Sequence, residues 1–185
     1  GLAVQSFGFK NYLPLGDPLI IVENLDRWFV DEIIILDIDR SRKGLGPNFK
    51  LIEKMHDFDI STPVTYGGGI RGKEDAVNLV KLGIERIVVD NLLLNSIKDV
   101  TSISMSIGAQ AVIGCVPVMI KNNFLLWFNY LTKDNKHLNE DLAKIFNSDI
   151  LSELLIMDCE NDGSNGKFNI KLLESDVLNI LEKLN

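Results

Sequence analysis

Cysteine is scarce in this chain, with only Cys115 and Cys159 among 185 residues, each inside an apolar run. That scarcity excludes a disulfide framework and points to a reduced, cytoplasmic setting. Histidine is equally scarce, and His56 and His137 have no partners at metal-ligand spacing, so no metal site is expected and no cofactor is implied. Basic charge is in deficit: 19 Lys and Arg against 26 Asp and Glu give a net charge of -7, which argues against nucleic acid as a partner. No apolar run approaches the roughly 18 residues of a membrane span, and no basic-then-apolar leader opens the chain, so no membrane role is expected. Composition does not shift along the chain, and 46% hydrophobic residues suffice for one core, hence a single domain over 1–185.

Against those absences stands a regular alternation of apolar runs and amphipathic segments. Asp17-Pro18 reads as a cap with proline at the first helical position, opening a helix that carries Leu19, Ile20, Val22, Leu25 and Trp28. Glu32 to Asp39 is a continuous apolar run ending in carboxylates, the pattern of a parallel strand buried on both faces. Helices are expected at Phe49–His56, Lys73–Leu82, Leu92–Ile107, Asn139–Phe146 and Ile170–Leu184. Strands are expected at Pro63–Tyr66, Arg86–Val89, Ala111–Val118 and Glu153–Asp158, with a hairpin inserted at Asn122–Thr132. Strands and helices at this spacing form βαβ units around a parallel sheet.

A gapless internal match sharpens the fold. Residues 32–53 align on 153–174, pairing Glu32 with Glu153, Asp37 with Asp158, Asn48 with Asn169 and Glu53 with Glu174, at an offset of 121 residues. Four strand-helix units of about 30 residues fill that offset, and two such quartets make a (β/α)8 barrel. An open doubly wound sheet is the alternative that alternation alone also fits.

In a barrel the loops after the strands share one face, where sites are built. The strand ends bring Asp37, Asp39, Asp90, Asn91, Asp158, Glu160, Asp162 and Gly163 to that face, together with the turn Gly67-Gly68-Gly69. Three glycines between a strand and a helix allow positive φ and close approach to the backbone amides, as in an anion cradle or simply a tight turn. Arg40, Arg42 and Lys43 are placed to grip a phosphate or to form a solvated loop. The carboxylates are candidates for proton transfer or for loop-orienting hydrogen bonds, with Asp37 and Asp158 the catalytic candidates. Phe124, Trp127, Phe128 and Tyr130 in the hairpin are expected to pack over the barrel mouth, where a loop could also touch substrate.

Gly16-Asp17-Pro18, DEIIILDID, VTYGGGI, LGIERIVVDN, IGAQAVI and ENDGSNGKFN, in this order over nearly the whole chain, resemble the cyclase subunit of imidazole glycerol phosphate synthase. The opening GLAVQSFGFKNYLPLGDP is closer to relatives of that cyclase from surface-polysaccharide gene clusters, where a glutaminase partner supplies ammonia for amidating a sugar. The resemblance implies a (β/α)8 barrel that takes ammonia through its core from a glutaminase docked at the strand-start face. It implies a phosphorylated or nucleotide-linked small-molecule substrate, with phosphate bound by Gly68 and Gly69 near Asp90 and Asn91. A second phosphate site is implied at Asp162 and Gly163. Glu32, Arg86 and Glu153 fall on the family's ammonia gate, and Glu85 on a glutaminase contact; ion pairing that closes the barrel bottom is the structural alternative.

The departures bear on activity. The resemblance places two acid-base aspartates at the ends of strands one and five, but strand one lies before this sequence and Pro117 stands at the strand-five position. Gln5, Asp90 and Met157 stand where the family has lysine, asparagine and threonine. Strands seven and eight have no counterpart, so an incomplete barrel is expected. Three functions follow: amidation of a polysaccharide sugar, the histidine-pathway cyclase making imidazole glycerol phosphate and AICAR, or a non-catalytic glutaminase-binding partner.

Overall fold

The computed structural model describes residues 1–122, 124–137, 149–165 and 167–174. An antiparallel hairpin comes first, β1 (Ala3–Phe7) with β2 (Asn11–Gly16), turning through Gly8 and Phe9 at positive φ. Sequence reading did not anticipate it, because Gly8-Phe9-Lys10 lacks the Asn-Gly or Asp-Gly signature of a tight hairpin. Helix α1 (Pro18–Arg27) starts as expected, the Asp17 carboxylate accepting the Leu19 amide at 2.9 Å.

Five parallel strands follow in spatial order: β3 (Ile33–Leu36), β4 (Val64–Gly67), β5 (Arg86–Val89), β6 (Val112–Lys121) and β9 (Glu153–Asp158). Between them run α2 (Ile38–Arg42), α3 (Phe49–Met55), α4 (Lys73–Lys81), α5 (Asn91–Asn95) and α6 (Ile97–Ile107), with α7 (Lys171–Glu174) after β9. Strands β7 (Phe124–Asn129) and β8 (Asp134–His137) extend the sheet antiparallel from the far end of β6. The expected helix at Asn139–Phe146 lies outside the described residues, as does most of Ile170–Leu184.

Three expectations need correction. The strand expected to end at Val118 continues to Lys121, because its last four residues pair with β7 after the earlier ones have paired with β9. The helix expected over Leu92–Ile107 breaks at Ser96, whose extended ψ of 78° starts α6 afresh. Run Ile33–Leu36 is not buried on both faces: Ile34 is 42% exposed, since β3 is an edge strand among the described residues.

Period-2 alternation sorts side chains to two faces. Val64, Tyr66, Ile87, Val89, Val112 and Val116 pack outward against buried positions of α3, α4 and α6 such as Ile52, Leu79 and Ile103. Val88, Ile113 and Cys115 form a second, inner cluster with Leu36, Leu155 and Met157. Helix α4 shows why these segments are helical: Ala76 and Leu79, three residues apart, are fully buried, while Lys73, Glu74 and Lys81 are exposed.

The glycine turn locks the strand-end face. Asp37 donates its amide to the Gly67 carbonyl at 2.7 Å, and Gly68 then passes so near Asp37 that a Cβ would stand 2.3 Å from its carbonyl oxygen. A Cβ on Gly69 would meet the Leu45 carbonyl at 2.5 Å. Both glycines have positive φ, 123° and 72°. Gly68→Ala is therefore expected to destabilise the fold by about 3 kcal/mol, from backbone strain and overpacking together; a urea midpoint unchanged from the parent protein would contradict this contact.

Candidate functional site

Glu32, Thr65, Arg86 and Glu153 enter the inner face where the parallel strands begin. Arg86 Nε donates to Glu32 Oε1 at 3.1 Å and Nη2 to Glu32 Oε2, while Nη1 donates to Glu153 Oε1 at 2.7 Å. The Thr65 hydroxyl also donates to Glu32. Burial pushes the Glu32 carboxyl up, but the bonds from Arg86 and Thr65 outweigh it and hold the group below its ordinary value. Glu153 is the looser partner, its side chain 60% exposed against 23% for Glu32. Glu85 is exposed next to Arg86 and uses its amide on the Val64 carbonyl at 3.0 Å.

At the other end of the same face lies a pocket. Asp37, Gly68, Gly69, Asp90, Asn91 and Pro117 all line it. Aromatic walls close it: Phe9 and Tyr12 from the first hairpin, and Tyr130 from the turn after β7. The two walls meet where Phe9 and Phe128 rings stack edge to face at 6.1 Å. Burial pushes the Asp90 carboxyl up to about 7, against hydrogen bonds from Tyr130 and Trp127 that favour its charge. Tyr130 is itself pushed up to about 12, first by burial and then by the charge of Asp90.

The other strand-end carboxylates serve their loops. Asp37 caps α2 by accepting the Arg40 amide at 3.4 Å and takes the Asn48 side-chain amide at 3.3 Å. Asp158 accepts the backbone amides of Glu160, Asn161 and Asn169 and the Asn161 side chain at 2.8–3.2 Å. Burial raises the Asp158 carboxyl, yet these four bonds outweigh it and the net shift is downward. Asp162 accepts the Phe9 amide at 3.1 Å, and a Cβ on Gly163 would lie 2.1 Å from the Ser6 carbonyl, so this loop clamps the first hairpin.

The basic trio disperses. Arg40 donates to the Pro47 carbonyl at 2.8 Å, Lys43 pairs with Asp39 at 2.6 Å, and Arg42 lines the pocket. Sequence reasoning did not single out Ser41, whose hydroxyl accepts the Gly69 amide at 2.9 Å, nor the role of Tyr130 on Asp90. Tyr130 could have been weighed as the one hydroxyl-bearing aromatic of an aromatic-rich hairpin; Ser41, flanked by arginines, gave no signal. Among the described residues no cluster of metal-ligating side chains occurs and no helix is long and apolar enough to cross a membrane.

The sequence profile described as "Histidine biosynthesis protein" matches residues 1–180. The chain belongs to this family. Its fold is accordingly that of the (β/α)8 barrels, of which the five parallel strands form consecutive staves. A Leptospira interrogans protein provisionally named imidazole glycerol phosphate synthase subunit HisF is 28% identical over 177 residues, 94% of this chain and 69% of its own length. A Vibrio vulnificus protein provisionally named subunit hisF2 is 29% identical, covering 94% of this chain and 64% of that protein. The HisF subunit of Exiguobacterium sibiricum is 26% identical over 185 residues, 97% of this chain and 73% of its own. The chain thus spans about two thirds of the length of these relatives.

Two substitutions probe this geometry. Arg86→Met leaves a half-buried Glu32 without its cation and is expected to cost about 1–3 kcal/mol, while Glu153→Gln at the exposed arm costs below about 0.5 kcal/mol; urea unfolding measures both, and equal costs would contradict the asymmetry. Asp158 contributes stability that is present above its unfolded value near 3.8 and lost as pH falls through its lower folded value. Asp158→Asn should therefore lower stability by about 1–3 kcal/mol at pH 6 and by much less at pH 3; a pH-independent difference in thermal unfolding would exclude this role.

Proposed function

We propose that this chain is the ammonia-accepting synthase subunit of a glutamine amidotransferase, acting in the cytoplasm on a phosphorylated or nucleotide-linked small molecule. The observation that carries the reading is the Glu32–Arg86–Glu153 ion triad at the strand-start end of an inner face whose other end is the glycine-turn pocket. Arg86 opens β5 and Asp90 follows its last residue into the pocket, so a small neutral molecule released at the triad travels along β5 toward the pocket. Beyond the triad the apolar layer of Val88, Ile113 and Leu155 passes neutral ammonia but not ammonium, whose charge it cannot solvate. Exposed Glu85 supplies a contact for a glutaminase docked below.

At the pocket the roles are proposed as follows. Gly68 and Gly69, with Asn91, receive a ligand phosphate, Arg42 adds charge, and Asp37 stands beside them as a proton-transfer candidate. Asp162 lines a second depression with Ser164 and Lys167, where the far end of the ligand would lie, with Gly163 packed behind it on the Ser6 carbonyl. Asp158, its oxygens engaged in loop bonds, suits an organising part better than a catalytic one.

Pro117 favours a sugar-amidating relative over the histidine-pathway cyclase, since a proline at the mouth of the strand has no proton to exchange. The same residue supports a second reading, a non-catalytic partner that only activates a glutaminase. Expression in a histidine auxotroph lacking the cyclase is expected to give no growth without histidine; growth would establish the histidine-pathway cyclase instead. With the glutaminase added in vitro, the chain is expected to raise glutamine hydrolysis about tenfold or more, and no stimulation would overturn the amidotransferase reading.

A further inference from the structure

We infer that Asp90 is the proton-exchanging group of the pocket, held for that task by Tyr130 and Trp127 of the inserted hairpin. The inference deepens the reading of the glycine turn as an anion site and rests on it. Gly67 pairs with Val88 across β4 and β5, and Gly69 and Asp90 each stand two residues beyond that pair, after neighbouring strands, lining one cavity. The same cavity holds the groups between them: the Gly69 amide donates to Ser41 Oγ at 2.9 Å, and Ser41 and Tyr130 line the wall beside Asp90, where donors on Tyr130 and Trp127 favour the charged form of the Asp90 carboxyl. Trp127 is fully buried, so this support is part of the packed core of the arm.

An anion seated on the glycine turn faces the Asp90 carboxylate in the same poorly hydrated space. Two negative charges so placed are costly, and a proton taken up by Asp90 relieves the conflict. From the neutral acid that proton can pass from the carboxyl oxygen to a nitrogen or oxygen of the ligand, leaving a carboxylate still held by its two donors. The charge left behind is then the one the site already stabilises. Position 117, on the neighbouring strand and in the same cavity, offers proline, which cannot do this.

The groups facing Asp90 from the surrounding elements leave it to titrate near neutrality. Cys115 of β6 is pushed well up by burial, Cys159 after β9 to about 12 and Tyr130 after β7 to about 12. Asp37 after β3 and Arg42 of α2 bring opposite charges to the opposite wall. Burial places Asp90 at about 7, where an acid and its base are both available.

Sulfate is a suitable probe because it does not itself titrate in this range. Carboxyl carbon NMR on the whole chain should show a resonance titrating near 7 that disappears in Asp90→Asn and whose midpoint rises in Tyr130→Phe, since the lost donor favoured the charged form. Calorimetry of sulfate binding at pH 7.5 in buffers of different ionisation enthalpy should show roughly half a proton taken up by the parent protein, and none by Asp90→Asn. A midpoint in the ordinary carboxylate range, or proton uptake unchanged by Asp90→Asn, overturns the inference while leaving the anion site intact. Should neither protein bind sulfate, the anion-site reading falls, and the inference with it. Tyr130→Phe keeps the test decisive if Asp90→Asn does not fold.

Discussion

The close passage of Gly68 over the Asp37 carbonyl is the contact on which the strand-end face depends. No side chain fits there, and the bond from the Asp37 amide to Gly67 fixes β3 against β4 one residue earlier. With the two strand ends thus joined, α2 and its loop fold back so that Ser41 reaches Gly69 and Arg40 reaches Pro47. Asn48 then bonds to both Asp37 and Tyr66 and starts α3. The pocket wall is a consequence of backbone proximity, and the polar side chains around it are largely occupied in holding that backbone.

The inner face carries opposite chemistry at its two ends. Where the strands begin, the bonds between Arg86 and Glu32 favour the charged form of both, and Glu153 pairs with the same guanidinium from the exposed side. Where the strands end, Asp90 has hydroxyl and indole donors but no facing guanidinium in contact, and burial prevails. Between them lies a thin apolar layer that includes the Cys115–Met157 sulfur contact at 3.4 Å. A single strand, β5, leads from the ion-paired end to the carboxyl that burial pushes up to about 7.

Long strand β6 explains how a family barrel acquires an arm over its mouth. It pairs with β5 and β9 within the parallel ladder, then outruns β9 and pairs with β7 instead. This carries Tyr130 over the strand ends, Trp127 into the main core and Phe128 onto Phe9 of the first hairpin. The clamp of Asp162 and Gly163 on that hairpin fixes it from the other side.

Much of this was legible in the chain. Periodicity gave the order of the parallel strands, Asp17-Pro18 gave the start of α1, and the glycine triplet marked the turn, because each depends on local backbone preference or on a repeat of two or 3.6 residues. The family resemblance marked Glu32, Arg86 and Glu153 as a group, but not that Arg86 bridges both carboxylates. Local sequence could not show that Lys43 would be absorbed by Asp39, that Asp158 would be encircled by amides, or that Ser41 and Tyr130 would line one cavity with Gly69 and Asp90. These depend on distances between residues far apart in sequence, which exist only once the ladder closes. The sequence by itself determined a strand-helix alternation and which residues reach each end of it; tertiary structure alone decided which of those side chains are spent on the fold and which face the cavity, because hydrogen-bond partners and desolvation are properties of packed neighbours rather than of a chain.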